Sequence, residues 1–432
     1  VFDDPTNAWQ QVDHRMALAR EWDELVEQVR ELPGFEEFLR PPRLEALLPA
    51  AANGPVVIVN VSRWRCDALI VTTGGVEVCP LPGLTNTDVE QRALDYLNVL
   101  HAAENAMAVL VEARDRFDGG ANSPEAFRDY TAARETFARA QESVETGLAN
   151  VAEWMWDCVA EPVLDLLSIK DVPPPGKQPP RLWWCPTGLL SLLPLHAAGY
   201  HHTVDPSPRT VLDRVVSSYT PTLRALIEAR ADRPADVDER LLVVALAETP
   251  GQVPLRAVAS EVDLLTGLFP TRTVLDGDRA TWETVRAELG RHTWVHLSCH
   301  GDQNLTDPSK GGLLLHDRML TIADVGAGQY HGEFAFLSAC KTATGGLRLA
   351  DEVITLAAAM HYTGYRHVIG TLWSVFDTSA AEVARVVYTE LTSDGRFTPA
   401  RSAHALHNAV TRLRDLDRNR LSAWMPFTHT GP

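Results

Sequence analysis

Apolar residues recur at helical spacing over residues 6–32, where Trp9, Val12, Met16, Ala19, Val26 and Val29 mark one stripe. Pro33-Gly34 stops that helix, and Pro41-Pro42 breaks the chain again. The stripe needs a covering surface, so this helix is expected to pack on the main body or on helices that precede it. From Gly54 the period shortens. Val56 to Val59, Ala68 to Val71 and Val76 to Cys79 are short apolar runs parted by turn-formers, Thr73-Gly74-Gly75 among them, and they predict a strand meander. A long helix follows with Ala93, Leu97, Leu100, Met107 and Val111 on one stripe; Asp118-Gly119-Gly120 interrupts it, and helix resumes from about Pro124 to Leu167.

Pro173-Pro174-Pro175-Gly176 reads as a linker. Beyond it, buried-strand patterns at Leu182–Cys185, Leu241–Ala247, Thr293–Leu297, Phe334–Leu337 and His367–Ile369 alternate with helical ones at Ala257–Leu268, Thr281–Leu289 and Leu349–Met360. Such alternation predicts an α/β fold, a mainly parallel sheet covered by helices on both faces. Three segments are expected: a helical 1–53, a subdomain over 54–235 containing the meander and long helices, and an α/β subdomain over 236–432.

Composition narrows the function. The net charge of −18 argues against nucleic acid as a partner, because phosphate binding relies on clustered Lys and Arg. No apolar run approaches the roughly 20 residues that span a bilayer, so no membrane partner is expected. The chain opens Val1-Phe2-Asp3-Asp4, with neither initiator Met nor signal-peptide core, and is expected to be a cytoplasmic piece of a longer polypeptide. The cysteines at 66, 79, 158, 185, 299 and 340 are scattered and form no C-x-x-C, which disfavours both a disulfide framework and a structural zinc site.

Two candidate strands end in reactive side chains. Trp294-Val295-His296-Leu297-Ser298-Cys299-His300-Gly301 ends in a histidine followed by glycine. Phe334-Ala335-Phe336-Leu337-Ser338-Ala339-Cys340 ends in a cysteine followed by the polar loop Lys341–Gly346. In α/β sheets, reacting groups gather at the carboxyl ends of strands. A thiol becomes a good nucleophile once a base takes its proton, and imidazole both takes and returns protons near neutral pH. Cys340 as nucleophile and His300 as its partner therefore fit attack on an amide carbonyl. The backbone amides of Gly301 and Cys340 are candidates for holding the oxyanion. Taken singly, a cysteine at a strand end is core filling and a His-Gly pair says little; the pairing carries the reading.

His-Leu-Ser-Cys-His-Gly (296–301), Leu-Ser-Ala-Cys-Lys-Thr-Ala-Thr-Gly (337–345) and Gly-Thr-Leu-Trp-Ser-Val-Phe-Asp (370–377) together resemble the signature blocks of CHAT-domain cysteine peptidases, in the clan of caspases, separase and gingipains. Weaker likeness reaches Pro186–Leu195, Ser218–Pro221 and Trp424–Phe427, so the resemblance covers roughly Gly54 to the end. It implies a caspase-like sheet, a His300–Cys340 dyad, and a degenerate, non-catalytic companion subdomain in the first half. Ser338-Ala339-Cys340-Lys341 meets the caspase signature only in part, so the caspase preference for Asp is not carried over. Trp373 and Asp377 match the stretch that lines the pocket for the residue before the cleaved bond, which implies a preference for Arg or Lys there; the bland alternative is that Asp377 caps the helix opening at Thr378-Ser379. The proposed chemistry requires no metal or organic cofactor, and none is expected. It implies a protein substrate, gasdermin-like pore formers among them, a role in bacterial defence or signalling, and a sensor or activator module ahead of this region.

Other readings compete. His296 and His300 stand four apart, but on a strand that is about 13 Å, too far to share a zinc ion, and His296 reads as a core or supporting histidine. Cys299 adjoins His300 and points to the opposite face, a poor dyad partner. Ser338, His316, His331, Asp302 and Glu352 read as structural or solvated. A catalytically silent interaction module, and a thiol hydrolase of small amides or thioesters, are the alternatives to a peptidase.

Overall fold

The computed structural model describes residues 5–432 other than 36–37, 120–122, 175, 204–206, 234–238, 251, 305, 340–341 and 343–354. The chain divides into two compact units, Val1–Pro49 and Ala50–Pro432. The first contains the helix Pro5–Arg30, where the opening stripe predicted it.

Among its described residues the second unit carries fourteen strands: β1 (Val56–Asn60), β2 (Asp67–Thr72), β3 (Gly75–Pro80), β4 (Arg181–Pro186), β5 (Val216–Tyr219), β6 (Leu241–Ala245), β7 (Arg272–Asp276), β8 (Trp294–Ser298), β9 (Gly301–Asp302), β10 (Gly312–Leu314), β11 (Met319–Thr321), β12 (Phe334–Ser338), β13 (His367–Thr371) and β14 (Phe427–Thr430). Eleven of them form one sheet in the order β3-β2-β1-β4-β5-β14-β13-β12-β8-β6-β7. The meander β1-β2-β3 is antiparallel. The run β13-β12-β8-β6-β7 is parallel throughout, as are β1-β4-β5. β14 runs antiparallel to β13 and meets β5 at one bridge, Thr430 opposite Tyr219. The sheet is thus continuous across the expected boundary at residue 235. A small second sheet, β11-β10-β9, follows β8 directly.

Side chains alternate faces along a strand, and the sequence uses both. Leu241, Val243, Trp294, Phe334, Phe336 and Ile369 enter one core with the helices Asn86–Asp118, Pro124–Met155, Val258–Leu268, Asp377–Leu391 and Ser402–Leu416. Leu242, Val244, Val295, Leu297, Ala335, Leu337 and Val368 enter another with the helices Trp282–Leu289, Ile322–Gly326 and Leu356–Tyr362. Helices therefore cover both faces, as the near-continuous apolar strands require.

Local chemistry sets the helix ends. Thr85, Ser123, Thr281 and Thr355 each accept the amide three residues on, and Thr321 with Asp324 forms a reciprocal capping box. In the long helix Asn86–Asp118 the buried stripe is Val89, Ala93, Tyr96, Ala103, Ala106 and Ala113. Of the stripe expected there, Ala93 is buried while Leu97, Leu100, Met107 and Val111 are half-buried. The second long helix ends in a wide turn, Trp156–Ala160, before Glu161–Leu166. Among the described residues, no helix is long and apolar enough to cross a membrane.

Candidate active site

β8 and β12 are neighbours in register, from Phe334 opposite Trp294 to Ser338 opposite Ser298. The two strands therefore end side by side. His300 follows Ser298 by two residues, and Cys340 follows Ser338 by two. Cys340 lies outside the described residues, as do Lys341 and Glu352.

His300 is half-buried, and its Nε2 lies 2.8 Å from the carbonyl oxygen of Val253. A carbonyl only accepts, so Nε2 must carry the proton, and in the neutral ring Nδ1 is left as the basic nitrogen. The His300 carbonyl accepts the Leu314 amide at 2.8 Å, which ties the segment after β8 to β10. Gly301 opens β9 opposite Leu313. Val253 belongs to the loop between β6 and the helix Val258–Leu268, and no feature of the sequence marked it.

The chain around position 340 is held from β13. The Thr371 hydroxyl donates to the Ala339 carbonyl at 2.8 Å, and the Thr371 amide donates to the Thr342 hydroxyl at 2.9 Å. The Ala357 amide in turn donates to the Thr342 carbonyl at 2.9 Å. One residue of β13 thus bonds the chain on both sides of position 340, at the Ala339 backbone and the Thr342 side chain.

Beneath both strand ends lies a buried carboxylate. Glu261, only 3% exposed, accepts from Ser298 Oγ at 2.5 Å, from Ser338 Oγ at 2.8 Å and from His296 Nε2 at 3.0 Å. His296 Nδ1 lies 3.1 Å from the Tyr388 hydroxyl, and its ring stacks on Phe336. Residues 294, 296 and 298 share one face of β8, so the polar cluster occupies the face that also carries Phe334 and Phe336. His296 is the buried supporting histidine its position in the strand implied. Glu261 and Tyr388 were missed by the sequence reading, since both sit on helices distant along the chain. Cys299 is buried on the other face, among Val295, Leu297 and Ala339.

Trp373 is 3% exposed, packs edge-on against Tyr96 with ring centres 5.6 Å apart, and its indole N–H has no partner among the described residues. Asp377 is half-buried at the first position of the helix Asp377–Leu391, and its Oδ2 accepts the Ala257 amide at 3.1 Å. That bond fastens this helix to the start of Val258–Leu268. Ser374 donates to Glu104 at 2.6 Å.

The chain's fold is similar to the caspase-like fold of separase. Against the Saccharomyces cerevisiae separase–securin complex at 3.0 Å the TM-score is 0.55 with 10% identity, over 89% of this chain and 30% of that one. Against the same complex at 2.6 Å it is 0.53 with 9% identity, over 90% and 31%. This chain therefore spans about a third of the length of those chains. No curated protein matches it in sequence. The family model described as "CHAT domain" matches residues 149–432, about two thirds of the chain. This chain belongs to the CHAT domain family.

Proposed function

We propose that the protein is a cysteine endopeptidase working through Cys340 and His300. The observation that carries this is the in-register end of β8 beside β12, with a histidine just past one strand tip whose Nε2 proton is engaged by a backbone carbonyl. In the sequence Cys340 follows the end of β12 by two residues, as His300 follows the end of β8.

In this reading His300 Nδ1 takes the thiol proton and the Cys340 sulfur forms a bond to the substrate carbonyl carbon. The backbone amides of Gly301 and Cys340 stabilise the oxyanion. The tetrahedral intermediate collapses, the C–N bond breaks, and His300 returns the proton to the departing amine. Water, deprotonated by His300, then attacks the thioester and releases acid and free thiol. No metal or organic cofactor enters these steps. Asp377, whose Oδ2 accepts the Ala257 amide, and Trp373 are assigned in this reading to the pocket for a basic side chain of the substrate. The companion half, residues 54–235, serves as a scaffold continuous with the catalytic sheet.

Separase is seen in complex with securin, and a protein partner is part of this proposal. The family resemblance extends it to an effector that cleaves a protein substrate, such as a gasdermin-like pore former, in bacterial defence, under control of an attached sensor. An electrophilic peptide probe and a peptide library test the core claim. Cys340→Ala and His300→Ala should each abolish labelling and cleavage while circular dichroism stays unchanged. Turnover by Cys340→Ala comparable to the parent would refute the assignment, and silence of the parent toward every probe would favour an interaction module. A library preference for apolar residues before the cleaved bond would remove Asp377 from its role.

A further inference from the structure

The loop that leaves β13 beside position 340 is held chiefly by its side chains. Thr371 closes β13 and bonds the chain at Ala339 and Thr342, and the helix Asp377–Leu391 begins soon after. At the flanks the backbone is fixed: the Leu372 amide donates to the Pro426 carbonyl at 2.9 Å, and the Ser379 amide to the Phe376 carbonyl at 2.9 Å. Between them Trp373, Ser374 and Val375 make no backbone–backbone hydrogen bond among the described residues. Such a segment shifts readily unless side chains pin it.

Two of the pins come from one helix of the companion half, Asn86–Asp118. Glu104 accepts the Ser374 hydroxyl at 2.6 Å, across 270 residues of sequence. Earlier on the same helix, Tyr96 meets the Trp373 ring edge-on with centres 5.6 Å apart, both rings buried. Tyr96 and Glu104 are just over two turns apart, so they lie toward the same side of the helix. A hydroxyl donating to a carboxylate is among the stronger hydrogen bonds, and this one is short. Both partners are half-buried, so water competes for the bond only in part. Residues 374–377 are half-buried too, and they follow the carboxyl end of β13, the side of an α/β sheet on which ligands bind.

We propose that Glu104 is a positioning residue for peptide cleavage: through Ser374 it holds the loop 372–376 in place to receive the substrate. The companion half then does more than carry the sheet, because one of its helices sets where a substrate side chain rests. This inference rests on the peptidase reading, and it divides two duties along one stretch of chain. Thr371 bonds the chain around the nucleophile position. Glu104 holds the part that meets the substrate. Losing the Glu104–Ser374 bond should therefore weaken substrate binding and spare the reaction at Cys340.

Steady-state kinetics of the full chain on a peptide selected from the library tests this, alongside the rate at which iodoacetamide alkylates Cys340, followed by mass spectrometry. Alkylation needs no peptide, so it reports the thiol alone. Ser374→Ala and Glu104→Ala should each raise KM by about tenfold, with kcat within about twofold of the parent and alkylation unchanged. The double variant should be no worse than the worse single one, because both delete the same bond. Glu104→Gln keeps an acceptor oxygen and should recover most of the loss; it also serves if Glu104→Ala folds poorly. Glu112→Gln, exposed farther along the same helix, should match the parent. A merely structural role would lower the melting temperature without separating KM from kcat. With a parent that cleaves, three results would each overturn the role: an unchanged KM in Ser374→Ala, single-variant losses that multiply in the double variant, or matching falls in kcat and alkylation. A parent inert toward every peptide would refute the peptidase reading and this role with it.

Discussion

Glu261→Ala isolates what the carboxylate under the two strand ends contributes. The substitution strands three donors at once: Ser298 O–H, Ser338 O–H and His296 N–H. A buried donor left without an acceptor costs about 1–3 kcal/mol. Ser298 and His296 are enclosed, whereas Ser338 is half-buried and recovers part of its loss from water. Two full penalties and a fraction of a third come to about 3 kcal/mol, a large part of the roughly 5–15 kcal/mol that holds a typical domain together. Glu261→Gln keeps the shape and one acceptor oxygen but turns an NH2 toward a donor, so its cost should fall to about half. Urea unfolding followed by tryptophan fluorescence measures both as a shift in midpoint at constant slope. A double-mutant cycle with Ser298→Ala and Ser338→Ala should give a coupling of about 1–2 kcal/mol per serine. If the dyad works as proposed, Glu261→Gln should also lower kcat with KM nearly unchanged, because it loosens strand tips and leaves substrate contacts alone. A cost for Glu261→Ala below about 1 kcal/mol, or strictly additive serine cycles, would refute the reasoning.

Thr371→Val keeps the β-branched shape but deletes the hydroxyl that holds the Ala339 carbonyl; it should cost about 1–2 kcal/mol and reduce peptide turnover disproportionately, as read by parallel unfolding and kinetics. Acid should unfold the protein steeply. Burial lowers His196, His201, His361 and His407 to about 4 and His367 to about 3, and holds His429 well below its usual value. Since the unfolded chain takes up those protons near pH 6.5 and the folded one does not, stability is fully present above about 6.5 and falls as pH drops toward 4. Each histidine contributes up to about 1.4 kcal/mol per pH unit; a fluorescence midpoint in urea that stays flat between pH 6.5 and 4.5 would contradict this. Gly431→Ala should destabilise by more than about 1 kcal/mol, because Gly431 has φ of +128° and an added Cβ would meet the Arg366 carbonyl oxygen. A melting temperature equal to the parent's would show that the backbone there yields easily.

Local pattern sufficed where burial was uniform. The apolar runs that became β6, β8, β12 and β13 are enclosed on both faces, so period and composition pointed the same way. Several of the helices around them carried their own caps. β14 shows the opposite case. Phe427-Thr428-His429-Thr430 reads as a polar ending, yet it lies in the middle of the sheet, fully buried. His429 is tolerated there because Ser218 and His367 bond its two ring nitrogens, at 2.7 and 3.1 Å, from strands on either side. Those partners are 211 and 62 residues away, beyond any window of sequence. β5 was missed for a related reason: it is short, and its serines bond residues of neighbouring strands; β7 is a short edge strand with polar ends.

The amino-acid order by itself determined the alternation of strands and helices, and the placement of a histidine and a cysteine just past two apolar runs, because alternation and apolar length are written residue by residue. Only the tertiary structure decided that β8 and β12 are neighbours in register, that Val253 faces His300, that Thr371 grips both sides of position 340, and that Glu261 lies under both strand tips. Each of these is a directional hydrogen bond or a strand pairing between segments far apart along the chain. Their energy depends on three-dimensional approach within about 3 Å, which no local pattern encodes.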